Sequence, residues 1–139
     1  MRWMRWLAAC ALPLLLGACA SSMEKGSALE QRQHDFSAAV RWGNFEGAWS
    51  VVDPEYRAAN PKTALEFERY DQVQVSGYSD LSAEVSADGQ RARREIQVSV
   101  INKHTMTERS LRYTETWRFD PQAKVWWVTS GLPDFWAGQ

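Results

Sequence analysis

Two runs near the C-terminus constrain the fold more than anything else in the chain. Residues 108–120 read E-R-S-L-R-Y-T-E-T-W-R-F-D, and residues 125–130 read V-W-W-V-T-S. In the first run Leu111, Tyr113, Glu115, Trp117 and Phe119 share one parity, while Arg112, Thr114, Thr116 and Arg118 share the other. A period of two carried by aromatic and β-branched residues predicts a strand with two chemically different faces. The intervening D-P-Q-A-K predicts a tight turn with Pro121 at its first central position. The hairpin holds three of the eight tryptophans and is expected to organise the core.

The opposite end has a different character. Arg2 and Arg5 precede an apolar run at residues 7–16, L-A-A-C-A-L-P-L-L-L. A short basic segment followed by about ten apolar residues is a signal-peptide pattern. The run is too short for the ~20 residues that a spanning helix needs, and Pro13 opposes one long buried helix. It leads into L-G-A-C at residues 16–19, which resembles the lipobox of bacterial lipoproteins. That resemblance implies cleavage before Cys19 and a diacylglycerol on its sulfur, with an N-acyl chain on the new terminus. Several acyl chains give durable attachment where one gives marginal binding. Ala20 and Ser21 lack the aspartate that often retains such proteins in the inner membrane. The implied address is the periplasmic side of the cell outer membrane in a Gram-negative host.

Removing residues 1–18 would leave 121 of the 139 residues, enough for one compact domain. Losing Arg2 and Arg5 from 16 basic residues leaves 14 against 17 acidic ones. That balance supplies no strong positive field for phosphates and argues against nucleic acid as a partner. Cys10 would leave with the leader and Cys19 would be acylated, so the fold must stand without a disulfide. Residues 19–26 are expected to form the lipidated cysteine and a short tether, and residues 27–139 a single domain with an aromatic tail.

Within that domain, S-A-L-E at residues 27–30 fits a capping box. Leu29, Phe36 and Val40 then recur at helical spacing, with Gln33 interrupting the stripe and Gly43 as the stop. Asn44 is placed to cap a second helix carrying Phe45, Ala48, Trp49 and Val52 on one face. Asp53-Pro54 ends it, and a third short helix is expected from Asn60-Pro61 through Ala64, Leu65 and Phe67. Strands follow at 70–78, at 81–87 with Leu81, Ala83 and Val85 alternating, and at 91–103. Asp88-Gly89 makes the turn before the last of these.

This order resembles the cystatin-like α+β superfamily, and its NTF2-like branch in particular, over residues 27–132. The likeness rests on F-x-x-A-W-x-x-V in the helices and on W-R-F-D-P-Q-A-K-V-W-W-V at the end. It implies short N-terminal helices packed on a strongly bent antiparallel sheet, which often encloses a cone-shaped cavity. An α+β fold outside that superfamily is the alternative.

Tyr113, Glu115 and Trp117 are the residues expected at such a cavity. An enclosed Glu115 could titrate high and transfer protons, or it could pair with an arginine on the next strand while the aromatics fill the core. Some NTF2-like enzymes resemble ketosteroid isomerase, and Tyr70, Asp71, Tyr78 and Glu115 are of the right chemical types, but no family catalytic motif surrounds them. His34 and His104 read as surface residues, so no metal site or cofactor is expected. The R-A-R-R run at residues 91–94 reads as the solvated face of an edge strand, or as a contact for an anionic lipid or acidic protein. In the tail, Leu132, Phe135 and Trp136 either fold back over the sheet or stay exposed to enter a partner's groove. The leading expectation is a non-enzymatic, membrane-anchored module that binds or scaffolds an envelope protein. Carriage of a small hydrophobic ligand is second, and isomerase-like chemistry third.

Overall fold

A computed structural model describes the backbone of residues 13–138 and the side chains of residues 20–138. The basic segment of the leader and Cys10 therefore lie outside the described residues, as does the side chain of Cys19.

Four helices precede four strands: α1 (Pro13–Arg41), α2 (Phe45–Val51), α3 (Pro54–Ala59), α4 (Ala64–Tyr70), β1 (Val73–Val85), β2 (Arg91–Asn102), β3 (Glu108–Asp120) and β4 (Val125–Val128). The strands form one sheet in the order β1-β2-β3-β4, every pair antiparallel. The architecture is α+β, with helices packed on one face of an antiparallel sheet.

The first helix departs from expectation. It passes without a break through residues 20–26, so that stretch is helical rather than a separate tether, and Ser27 lies in mid-helix rather than at a cap. The capping-box pattern needs a non-helical residue at its first position, which the continuous helix does not provide. Further on, Leu29, Phe36 and Val40 form the expected buried stripe. The helix closes with Gly43 at a φ of 75°, where Gly43 N donates to Val40 O and Asn44 N to Ala39 O. That pair of bonds is a Schellman stop. Asn44 then caps α2 by accepting from Gly47 N at 2.9 Å.

The segment after α2 holds a helix not expected from the sequence, α3, whose N-cap is Asp53. The next helix begins at Ala64 rather than at Asn60-Pro61, because Thr63 and Glu66 form a reciprocal capping box there. The two strands expected at 70–78 and 81–87 are one strand, β1, interrupted by register shifts between Val75 and Gly77 and between Asp80 and Ser82. Bulges of this kind bend a strand and reset its parity. Leu81 and Val85, part of the alternating run, are both exposed.

The core lies between α1, α2 and the inner face of β2–β4. Its largest fully buried side chains include Phe36, Ile96, Trp117, Trp126 and Phe135. Phe36 meets Trp117 edge-on at 5.9 Å. Burying each such side chain contributes roughly 1.5–3 kcal/mol.

The far side of the fold is held by Asp53. Its backbone N–H donates to Val128 O at 2.8 Å, and its carboxylate accepts from Glu55 N and from Arg118 Nε. The Arg118 hydrogen bond, with the backbone donors, holds the Asp53 carboxyl below its usual range against the opposing effect of burial. A depressed carboxylate contributes stability that is present above its unfolded value, about 3.9, and lost as pH falls through the folded value. Replacing Asp53 with asparagine is therefore expected to flatten the loss of stability below about pH 4, read from urea midpoints across a pH series. An unchanged acid limb would show that the pair contributes nothing.

Candidate functional site

The polar centre of the molecule is assembled by register. β2 and β3 pair so that Arg94 stands opposite Glu115, and both point inward. Glu115 is fully buried and Arg94 is 7% exposed. Arg94 donates to Glu115 Oε1 through Nε at 2.8 Å and through Nη2 at 2.6 Å. Trp117 Nε1 donates to the same oxygen at 2.6 Å, and the Tyr78 hydroxyl donates to Oε2 at 2.6 Å. Arg94 also reaches Asp80 Oδ2 at 3.1 Å and Ser37 Oγ at 3.2 Å. One cluster thus ties α1, β1, β2 and β3 together.

The electrostatics follow from this geometry. Loss of hydration pushes the Glu115 carboxyl up, opposed by the Arg94 charge and by the donors from Tyr78, Trp117 and Arg94. For Arg94 burial is the largest single effect and pulls down, but the Glu115 charge and hydrogen bond, with Tyr78 and Asp80, together outweigh it and the guanidinium ends above its usual value. Burial also raises the Tyr78 hydroxyl, reinforced by the Glu115 charge, so Tyr78 remains a donor. Three of the four bonds converge on Oε1 and one falls on Oε2, so both carboxylate oxygens are engaged inside the core. Oε2 faces the Tyr78 hydroxyl, and the carboxyl group is fully buried away from solvent.

The sequence-predicted residues fall into two groups. Tyr113, Glu115 and Trp117 share the inward face as expected, but they are packed into the core rather than lining an open cone. The Tyr113 hydroxyl is bonded to Ser130 Oγ at 2.8 Å and to Gly131 O at 2.7 Å. Of the isomerase-type residues, Tyr78 and Glu115 meet. Tyr70 instead donates to Pro133 O at 3.0 Å, and Asp71 is the exposed C-cap of α4. His34 and His104 are exposed. Among the described residues no group of three or more His, Cys, Asp or Glu is gathered to hold a metal.

The reading of residues 91–94 is corrected here. Residues 91–94 do not form the face of an edge strand: β2 lies between β1 and β3, and Arg94 is buried on the parity of Ala92 and Ile96. Only Arg91 and Arg93 face outward, the latter paired with Glu95 at 2.5 Å. In the tail, the fold-back alternative is the one the structure shows. Leu132 and Phe135 are 8% and 1% exposed, with Phe135 against Phe45 and Tyr70 at 5.8 and 5.6 Å. Trp136 packs on Tyr70 at 5.0 Å under the Arg69 guanidinium at 4.1 Å. Leu132 and Phe135 belong to the core, and Trp136 is half-buried against it.

Sequence reading missed Arg94, Ser37 and Asp80. The usable signal was a charged residue within the apolar alternation of Ala92, Ile96, Val98 and Val100, which demands a buried partner. A cleft of about 330 Å³ opens over this cluster between α1 and β1, with His34, Arg41, Tyr78 and Arg94 on its walls.

No protein-family model matches the chain, and no curated protein matches it. Solved structures do. A SEC-C motif containing protein from Rhodopseudomonas palustris is 16% identical over 70% of this chain and 72% of its own, with a TM-score of 0.55. Another SEC-C motif containing protein, from Psychrobacter arcticus, is 8% identical with a TM-score of 0.58; the match takes in 78% of this chain and 62% of that one. A putative dehydratase of the NTF2-like family from Streptomyces avermitilis is 13% identical over 76% of this chain and 91% of its own, with a TM-score of 0.44. At these identities the likeness to the SEC-C motif proteins concerns the fold alone.

Proposed function

We propose that this chain is a non-enzymatic, lipid-anchored module of the bacterial envelope that faces the periplasm and binds or scaffolds another envelope protein. The observation that carries the non-enzymatic part is the interior. Trp117, Trp126, Phe36 and Phe135 occupy the space inside the sheet, and Glu115 is held there by four bonds donated from Arg94, Trp117 and Tyr78. A ligand carrier or an isomerase-like enzyme needs an unfilled cavity that reaches an available acid, whereas the cleft over the cluster is lined by Tyr78 and Arg94 and not by Glu115. The anchor rests on the leader, where the basic residues, the apolar run and L-G-A-C agree in position. The NTF2-like assignment rests on the element order and on the terminal hairpin of Trp117, Phe119, Trp126 and Trp127.

With the tail docked, the surface aromatic best placed to meet a partner is Trp42, 88% exposed just beyond α1. Exposed tryptophans are favoured anchors at protein interfaces.

The anchor is tested by expressing the full chain in a Gram-negative host and measuring intact mass and fractionation. The wild-type protein is expected in the outer-membrane fraction, beginning at Cys19 with the mass of a diacylglyceryl group and an acyl chain. Cys19→Ser is expected to release it from that fraction. Wild-type protein lacking acyl mass would overturn the anchored reading.

A further inference from the structure

The lipidation reading above, joined to the helical continuity of α1, has a geometric consequence. Cys19 and Lys25 belong to one unbroken helix, and six residues of helix span only about 9 Å. Lys25 is in turn fixed to the sheet. Its carbonyl accepts from Trp126 Nε1 at 3.2 Å, and its ammonium sits 4.9 Å over the Phe119 ring. Anchor and domain are thus joined by a rod, and a rod transmits direction where a flexible linker would not.

The end of the domain beside that rod is well defined. The β3–β4 turn at residues 121–124 lies there, and so does the β1–β2 turn at 86–90, because Phe119 N donates to Gln90 O at 2.8 Å. A groove of about 260 Å³ opens between α1 and the β3–β4 turn, lined by Ser21, Glu24, Lys25, Ala28, Phe119, Pro121 and Lys124. Apolar surface flanked by lysines suits a bilayer interface, where the stems lie on apolar groups and the ammonium groups meet lipid phosphates. Met23 on α1 and Val85 before the β1–β2 turn add exposed apolar side chains. The opposite end of the sheet is the β2–β3 turn with His104, separated from this one by the whole of β3. Thirteen residues of β3 extend at most about 40 Å.

We infer that the end carrying the β3–β4 and β1–β2 turns lies against the bilayer, held there by the helix between Cys19 and Lys25, and that the β2–β3 turn points away from it. The occupant of the groove is then the lipid headgroup layer to which the chain's own anchor attaches.

The test uses the full lipidated protein in vesicles of phosphatidylethanolamine and phosphatidylglycerol. Gln122→Cys and His104→Cys each introduce a single reactive thiol, since Cys10 leaves with the leader and Cys19 is acylated. A fluorophore on that thiol is quenched by nitroxide attached to lipid headgroups. Quenching at position 122 is expected to exceed that at 104 by about threefold or more, given the length of β3. Inserting eight Gly/Ser residues after Ser22 is expected to erase most of the difference. Equal quenching at the two positions in the acylated parent would overturn the inference, as would a difference that survives the insertion. Intact mass on the same sample separates the failures: protein without acyl mass sinks the anchor itself, whereas acylated protein with equal quenching sinks only the orientation.

Discussion

Replacing Glu115 with alanine is expected to cost about 3–5 kcal/mol of folding stability, the range for breaking a buried ion pair by removing one partner. Arg94 would be left as an uncompensated charge at 7% exposure, and Trp117 Nε1 and the Tyr78 hydroxyl would lose their acceptor. Arg94→Ala is expected to cost less, because Glu115 keeps those two donors. The double variant should cost less than the sum of the single variants by about 1 kcal/mol or more, since both belong to one network. Urea denaturation of the four proteins reads these terms directly. The isomerase-like reading predicts the reverse. An acid held in a strained catalytic setting is commonly a stability burden, so its neutral variant would leave stability unchanged or raise it. A Glu115→Gln protein more stable than wild type would reopen the catalytic reading.

The second large effect is expected at Phe135. Its ring is 1% exposed and packs against Phe45, Tyr70 and Trp136. Truncation to alanine is expected to cost about 3–5 kcal/mol. Trp136→Ala should cost less, since that ring is half-buried. Limited proteolysis offers a second readout: a docked tail is cut only as the domain unfolds, so the Phe135 variant should lose tail and domain protection together. A tail serving only as a partner's ligand would be removed from wild-type protein first, and Phe135→Ala would then leave the urea midpoint unchanged.

How much of this could be read from the sequence depended on whether a signal was local. The bounds of β3 were legible because Leu111, Tyr113, Trp117 and Phe119 keep one parity and Asp120-Pro121 marks the turn, with Asp120 Oδ1 accepting from Gln122 N and Ala123 N. The face of α2 was legible for the same reason, its cap and apolar spacing lying within nine residues of sequence. The start of α1 was not, because Ser21, Ser22 and Gly26 suggested a tether although Ala20, Met23, Glu24 and Lys25 favour helix, and the contacts of Lys25 with Phe119 and Trp126 are remote in sequence. Strand β1 misled because two bulges shift its parity, and parity arguments fail across a bulge.

The candidate site was half legible. Shared parity placed Tyr113, Glu115 and Trp117 on one face, and an arginine on the adjacent strand was one of the two readings of Glu115. Which arginine it would be depends on the β2–β3 register, fixed by eleven paired positions rather than by any local motif. Arg94 sits in a run of arginines, and composition alone assigns such a run to solvent. The tail was ambiguous because buried and protruding aromatics look alike in sequence. What settles it is Tyr70, whose hydroxyl meets Pro133 O from more than sixty residues away.

The measurement that bears most directly on the central claim is crosslinking in living cells through a photoreactive residue at Trp42 of the native, lipidated protein. Mass spectrometry would then be run on both crosslinked proteins and co-purifying small molecules. The account predicts one recurring envelope protein captured at position 42, absent when the same group is placed at His104, and no small molecule at stoichiometric level. A stoichiometric small molecule with no protein partner would contradict it and return attention to the interior around Glu115.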